Sequence, residues 1–176
     1  MRIISGKYKG KIINPGSGFK SRPTTDFAKE SLFNILANNF DFEEIDVLDL
    51  FSGTGSISFE FASRGSRLIE SVEHNFRHAS FIIQTAKALN FANLHVYRMN
   101  VYQYLKMSRH RFDVIFADPP YDMADIDKLP GIVLEAGLMK DNGLFVLEHS
   151  KKIDFSSHPR LKDHRNYGSV NFSIFE

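Results

Sequence analysis

Residues 47–62 read VLDLFSGTGSISFEFA. The stretch opens as a short apolar strand carrying one acid, Asp49. Phe51 to Gly55 then form a loop, and the spacing predicts a helix from Ser56 to about Arg64. Gly53 and Gly55 allow backbone turns that a side chain would hinder, and they let a ligand come close to the chain. The new helix offers unpaired N–H groups to an anion. A strand, a glycine loop and a helix in this order begin an open α/β sheet, which binds ligands at the carboxyl ends of its strands. A dinucleotide fingerprint would read G-x-G-x-x-G, but Ser58 stands at the third glycine position, so that site is disfavoured. An ordinary strand–helix turn accounts for a lone Gly-x-Gly equally well, so the other strand ends have to decide.

The same rhythm continues outward. Strands are expected at Ile45–Leu50, Arg67–Val72, Leu94–Arg98, Phe112–Ala117 and Gly143–Glu148. Helices are expected near Ser56–Arg64, Phe76–Leu89, Val101–Met107 and Ile126–Leu134. Strands alternating with helices argue for an α/β fold whose parallel sheet is covered on both faces. After Ser150 the rhythm stops, and Arg160–Asn166 and Ser169–Phe175 read as two antiparallel strands around Tyr167-Gly168. At the other end, Arg2–Ser5 and Lys9–Asn14 read as a small hairpin with glycines at 6 and 10 as turn material. Pro23, Thr24 and Thr25 start a helix that runs to about Asn38, with Asp26 in its first turn. The organisation is one α/β domain, residues 26–176, preceded by a hairpin and loop extension, residues 1–25.

The chain has 176 residues, 43% of them hydrophobic, which suits a globular domain with a proper core. It has no cysteine, so disulfides and thiolate metal sites are excluded, and the histidines lack metal-ligand spacing. No apolar run approaches a membrane span and nothing resembles a secretory signal, which suits a cytoplasmic protein. The net charge of +1 hides an asymmetry. Residues 1–25 hold Arg2, Lys7, Lys9, Lys11, Lys20 and Arg22 and no acid, leaving 16 basic and 21 acidic residues in the rest. A basic arm on an acidic body suggests a polyanionic partner, against the plainer view of a solvated terminus.

Three further strand ends carry chemistry. Glu73 lies 18 residues after Gly55, where a carboxylate can accept from two ribose hydroxyls. Asn100 follows the third strand, where an amide could read an adenine edge or cap the next helix. The fourth strand runs into Asp118, Pro119, Pro120 and Tyr121. An exocyclic amine on a base is a poor nucleophile because its lone pair is delocalised into the ring. A carboxylate from Asp118 and the carbonyl of Pro119 could accept its hydrogens and expose that lone pair. The two prolines restrict the backbone and remove competing donors, which preorganises the acceptors. Tyr121 could stack on the base, a contact worth about 1–3 kcal/mol.

The blocks MRIISGKYKGKII, SRPTTDFAKESLFNIL, VLDLFSGTGS, SVEHN and FADPPY span nearly the whole chain. In them the sequence resembles the bacterial 16S rRNA guanine-N2 methyltransferases of the RsmD type. The resemblance implies a Rossmann-like, seven-stranded methyltransferase sheet, mostly parallel with an antiparallel C-terminal strand, and a small N-terminal hairpin that helps grip RNA. It implies S-adenosylmethionine as cofactor, with Asp49, Phe51, Gly53 and Gly55 around its methionine end, Glu73 on the ribose and Asn100 on the adenine. Asp118, also beside the cofactor, would hold the target amine with Pro119, Pro120 and Tyr121. Arg2, Lys7, Lys9, Lys11 and Arg22 would meet RNA phosphates. The implied partner is 16S rRNA in a partly or fully assembled small subunit, with no metal and no membrane. Two other functions fit parts of the pattern: an adenine-N6 methyltransferase, and a non-catalytic RNA-binding assembly factor that keeps the fold.

Overall fold

The structure is a computed structural model and describes residues 1–16, 19 and 25–176. The expectations for Arg22, Pro23 and Thr24 lie outside the described residues.

One seven-stranded sheet organises the chain. Its strands are β1 (Asp46–Leu50), β2 (Leu68–Val72), β3 (Leu94–Tyr97), β4 (Phe112–Ala117), β5 (Met139–His149), β6 (Leu161–Tyr167) and β7 (Val170–Phe175), in the spatial order β3-β2-β1-β4-β5-β7-β6. The first five run parallel, and β7 lies antiparallel to both β5 and β6. The helices are α1 (Asp26–Ala37), α2 (Ser56–Ser63), α3 (Phe76–Ala88), α4 (Val101–Met107) and α5 (Leu129–Glu135). From β1 the chain winds outward to β3, then crosses back to place β4 on the other side of β1. That reversal is the topological switch point, and it opens a crevice at the carboxyl ends of β1 and β4.

The central strands are apolar on both faces because both are covered. Val47, Val114, Phe116 and Val146 face one core with α1, α2 and α3, whereas Leu48, Ile115, Phe145 and Leu147 face a second core with α4 and α5. This is the two-residue alternation of a pleated strand applied to a continuous hydrophobic run.

Two elements depart from the sequence expectation. β5 starts at Met139, four residues before the expected Gly143. Lys140, Asp141 and Asn142 disguise its first half, and the β4–β5 register shifts between Phe112 and Val114. Asn142 has φ 63° there, and a Cβ on Gly143 would lie 2.7 Å from Met139 Cγ. The expected N-terminal hairpin forms with shorter pairing than expected: one antiparallel bridge, Arg2 with Ile12, flanked by backbone bonds from Ile3 N–H to the Lys11 carbonyl at 3.0 Å and from Ile13 N–H to the Met1 carbonyl at 2.9 Å. The body of the domain holds this backbone as well. Ile3 and Ile13 are buried in the core of α1, α2 and α3. The N–H groups of Ile4 and Ser5 donate to the Glu60 carboxylate at 2.8 and 3.0 Å, and Lys7 N–H donates to the Ser63 carbonyl at 2.7 Å. Gly6 makes the approach possible: a Cβ there would fall 1.9 Å from that carbonyl oxygen.

Candidate active site

The loop after β1 is tied at several points. Ser52 Oγ donates to the Asp49 carbonyl at 2.6 Å, and Gly55 N–H donates to the Ser52 carbonyl at 2.7 Å. Phe51 (φ 58°), Gly53 (φ 55°) and Gly55 (φ 82°) all adopt left-handed backbone. For a bulky residue such as Phe51 that conformation is strained, and such strain gathers at functional sites. The two glycines serve different needs. A Cβ on Gly55 would press on Phe59 and Ile82 at 3.0–3.1 Å, so its lack of a side chain seats α2 on the core. A Cβ on Gly53 would find nothing nearer than the Phe51 carbonyl at 3.9 Å, so this position opens to the crevice.

Glu73, at the end of β2, fixes the loop from the other side. Its Oε2 accepts from Gly53 N–H at 2.8 Å and its Oε1 from Asn75 N–H at 2.6 Å. Each carboxylate oxygen keeps further acceptor capacity for a ligand hydroxyl. Asn100 takes the capping role considered for it and also lines the crevice. It caps α4, with Oδ1 accepting from Tyr102 N–H at 2.8 Å, and it is exposed on the crevice wall.

The crevice has a volume of about 500 Å³, in the range of small-molecule sites. It brings together Phe51, Gly53, Glu73, Asn100 and the whole run Asp118, Pro119, Pro120, Tyr121, drawn from the ends of four strands. Asp49 and Gly55 do not line it. Asp49 is 1% exposed behind the loop, where its Oδ2 accepts from Ser58 N–H at 3.1 Å and from Ser58 Oγ. Burial pushes its carboxyl up to about 7, against the pull of the Ser58 bonds. Its observed part is to hold the start of α2.

Asp118 is partly buried. Removal from water, then the Glu148 and Asp49 carboxylates, raise its carboxyl well above the usual range. Glu148 is 2% exposed at the end of β5, and its Oε1 accepts from the Tyr121 hydroxyl at 3.4 Å. Nothing in the sequence singles out Glu148, since a strand-end acid gives no signal of what faces it. Nor does it single out His74, Asn75 and His78, which line the crevice beside Glu73.

Arg2, Lys7, Lys9 and Lys11 are exposed on the docked arm. Arg2 pairs with Asp26 at 2.8 Å, so its charge is partly answered within the chain. Among the described residues no helix is long and apolar enough to cross a membrane, and no cluster of three or more His, Asp or Glu side chains could hold a metal.

Parallel strands in the order 3-2-1-4-5, an antiparallel seventh strand, a glycine loop after β1 and an Asp-Pro-Pro-Tyr run after β4 define the class: a Rossmann-like fold of the S-adenosylmethionine-dependent methyltransferase type. The family model described as conserved hypothetical protein 95 matches residues 1–176, and the chain belongs to that family. It is 28% identical to the ribosomal RNA small subunit methyltransferase D of Buchnera aphidicola subsp. Baizongia pistaciae, over 99% of this chain and 91% of that one. The Escherichia coli K12 protein of the same name is 26% identical over 84% of this chain and 74% of that one. Among solved structures, the hypothetical protein TTHA0928 of Thermus thermophilus superposes with a TM-score of 0.88 at 28% identity, covering 100% of this chain and 99% of that one. SMU.776 in complex with SAH shares the fold at 22% identity and a TM-score of 0.67, covering 84% of this chain and 49% of that one.

Proposed function

We propose that the protein transfers a methyl group from S-adenosylmethionine to the exocyclic N2 amine of a guanine in 16S rRNA of the small ribosomal subunit, in the cytoplasm. The observation that carries this is the meeting, in one crevice, of the Gly53–Glu73 loop and the Asp118–Tyr121 run. Two relatives named ribosomal RNA small subunit methyltransferase D support the substrate class.

The residues present fit the cofactor. Gly53 leaves the wall open where a ligand backbone would approach, and Glu73 presents a carboxylate already aimed by two N–H groups. Asn100 would offer its amide to the adenine, and Phe51 an apolar wall. When bound, S-adenosylmethionine supplies a methyl group on a sulfonium. Asp118 and the Pro119 carbonyl accept the hydrogens of the guanine amine and free its lone pair, while Tyr121 stacks on the base. The target guanine leaves its stack to reach them. Positioning and exclusion of water account for most of the acceleration. Arg2, Lys7, Lys9, Lys11 and Arg22 hold the phosphates, and folded RNA with ribosomal protein attached is the preferred acceptor.

The test is labelled methyl transfer to small-subunit RNA from cells lacking the gene, offered as naked RNA and as partly assembled particles. Label in N2-methylguanosine, with the particles the better acceptor, is the expected result. Label in N6-methyladenosine would replace the proposal with the adenine reading, and no label with intact cofactor binding would leave a non-catalytic binder.

A further inference from the structure

Glu148 is a buried acid beside the Asp118–Tyr121 run, and neither the cofactor nor the base needs it as a direct contact. The β4–β5 register pairs Ala117 with Leu147. The next residues, Asp118 and Glu148, therefore leave adjacent parallel strands side by side, with backbones about 5 Å apart. Three residues past Asp118 the chain has turned back, so that the Tyr121 hydroxyl reaches Glu148 Oε1 at 3.4 Å. A fully buried carboxylate beside a second one is costly. An apolar residue at the end of β5 would pack there without that cost.

We infer that Glu148 is a positioning residue for the methyl transfer proposed above: it orients the Tyr121 ring and keeps Asp118 basic enough to take the proton that the guanine amine releases. The inference rests on the guanine-N2 reading. In the transfer the N2–carbon bond forms as the carbon–sulfur bond breaks. The bonding pair stays on sulfur, which becomes a neutral thioether, and the N2 proton passes to Asp118. The groups that face Asp118 are Glu148 from β5 and Asp49 from β1, and both favour its protonated form. A more basic Asp118 polarises the N–H bond more strongly before transfer and receives the proton more readily after it.

Three variants test this. Glu148→Gln keeps the shape and removes the charge, Glu148→Asp keeps the charge on a shorter arm, and Tyr121→Phe keeps the ring and removes the hydroxyl. The readouts are a carbon-13 NMR titration of the Asp118 carboxyl in cofactor-free protein, and the pH profile of kcat at saturating cofactor. Glu148→Gln is expected to lower the Asp118 midpoint, move the acid limb of kcat to lower pH, and cut plateau kcat roughly tenfold or more. The KM for cofactor should stay within about twofold, since Glu148 is remote from the Gly53–Glu73 end. Glu148→Asp should restore the titration and the acid limb. Tyr121→Phe should leave the Asp118 midpoint in place and lower kcat, and it carries the test should the Gln variant fail to fold. Unchanged midpoint and kcat in Glu148→Gln, or full kcat in Tyr121→Phe, would overturn the inference while leaving the guanine reading intact. Wild-type protein that makes no N2-methylguanosine would overturn that reading itself, and the proton step with it.

Discussion

The backbone N–H of Gly53 donates to Glu73 Oε2 at 2.8 Å, which ties the loop after β1 to the end of β2. One carboxylate thus shapes the loop and lines the crevice. Glu73→Ala removes both functions, and each charge-assisted hydrogen bond lost to the ligand costs roughly 1.5–3 kcal/mol before water compensates. Cofactor affinity measured by calorimetry should fall at least tenfold, and amide exchange at Gly53 should quicken. Glu73→Gln should do nearly as badly, because its amide end would face an N–H donor.

Asp49 makes stability depend on pH in a defined direction. Its folded carboxyl titrates at about 7, above the ordinary value of 3.8, so the folded state binds its proton more tightly than the unfolded state. Stability from this group is fully present below about pH 4 and is lost as pH rises through 7. Asp49→Asn removes that loss. Its melting temperature should exceed that of the wild type at pH 8, with the gap closing toward pH 4.5. An offset that does not change with pH would show that Asp49 is not the titrating group.

The arm is pinned by charges that are themselves buried. Lys29 and Glu60 are 1% and 0% exposed and 3.5 Å apart, Lys29 Nζ also donates to the Arg2 carbonyl at 2.5 Å, and Arg64 Nε donates to Glu60 at 2.9 Å. Glu60→Gln leaves Lys29 buried without its counter-charge, which typically costs about 3–5 kcal/mol. Thermal unfolding should begin roughly 10 °C lower. Proteolysis near residues 4–8 should accelerate, because the Ile4 and Ser5 N–H groups lose a carboxylate acceptor.

These two buried arrangements show where sequence patterns stop being informative. Val101–Met107 and Phe112–Ala117 have the bounds that their periodicity predicts, because local spacing and burial agree there. Glu73, Asn100 and the Asp-Pro-Pro-Tyr run were legible because each stands where a strand ends. Lys29 and Glu60 were not: each reads as an ordinary helical charge, and their pairing joins α1 to α2 across 31 residues. Glu148 was hidden for the same reason, since its meaning comes from the β4–β5 register. The hairpin was legible from its glycines, since Ile3 N–H donates to the Lys11 carbonyl and Ile13 N–H to the Met1 carbonyl across it, but the packing of Ile3 and Ile13 on helices was not.

RNA binding by the arm should follow salt. If Lys7, Lys9 and Lys11 meet phosphates, log affinity should fall against log salt with a slope of roughly −0.7 to −0.9 per contact. Replacing all three with alanine should flatten that slope by about two to three units and leave the choice of base unchanged, since phosphate contacts position and do not read. An unchanged slope would assign the arm's charge to solvent.

The most direct measurement is single-turnover methyl transfer to partly assembled small subunits by wild-type protein and Asp118→Asn, followed across pH, with the product nucleoside identified. Wild-type protein should yield N2-methylguanosine with an acid limb well above the ordinary carboxylate range, because Asp118 must lose its raised proton to accept from the amine. Asp118→Asn should bind cofactor nearly as well and transfer at least a hundredfold more slowly. Near-normal transfer by the variant, or a methylated base other than guanine, would contradict the placement of the reacting amine at Asp118.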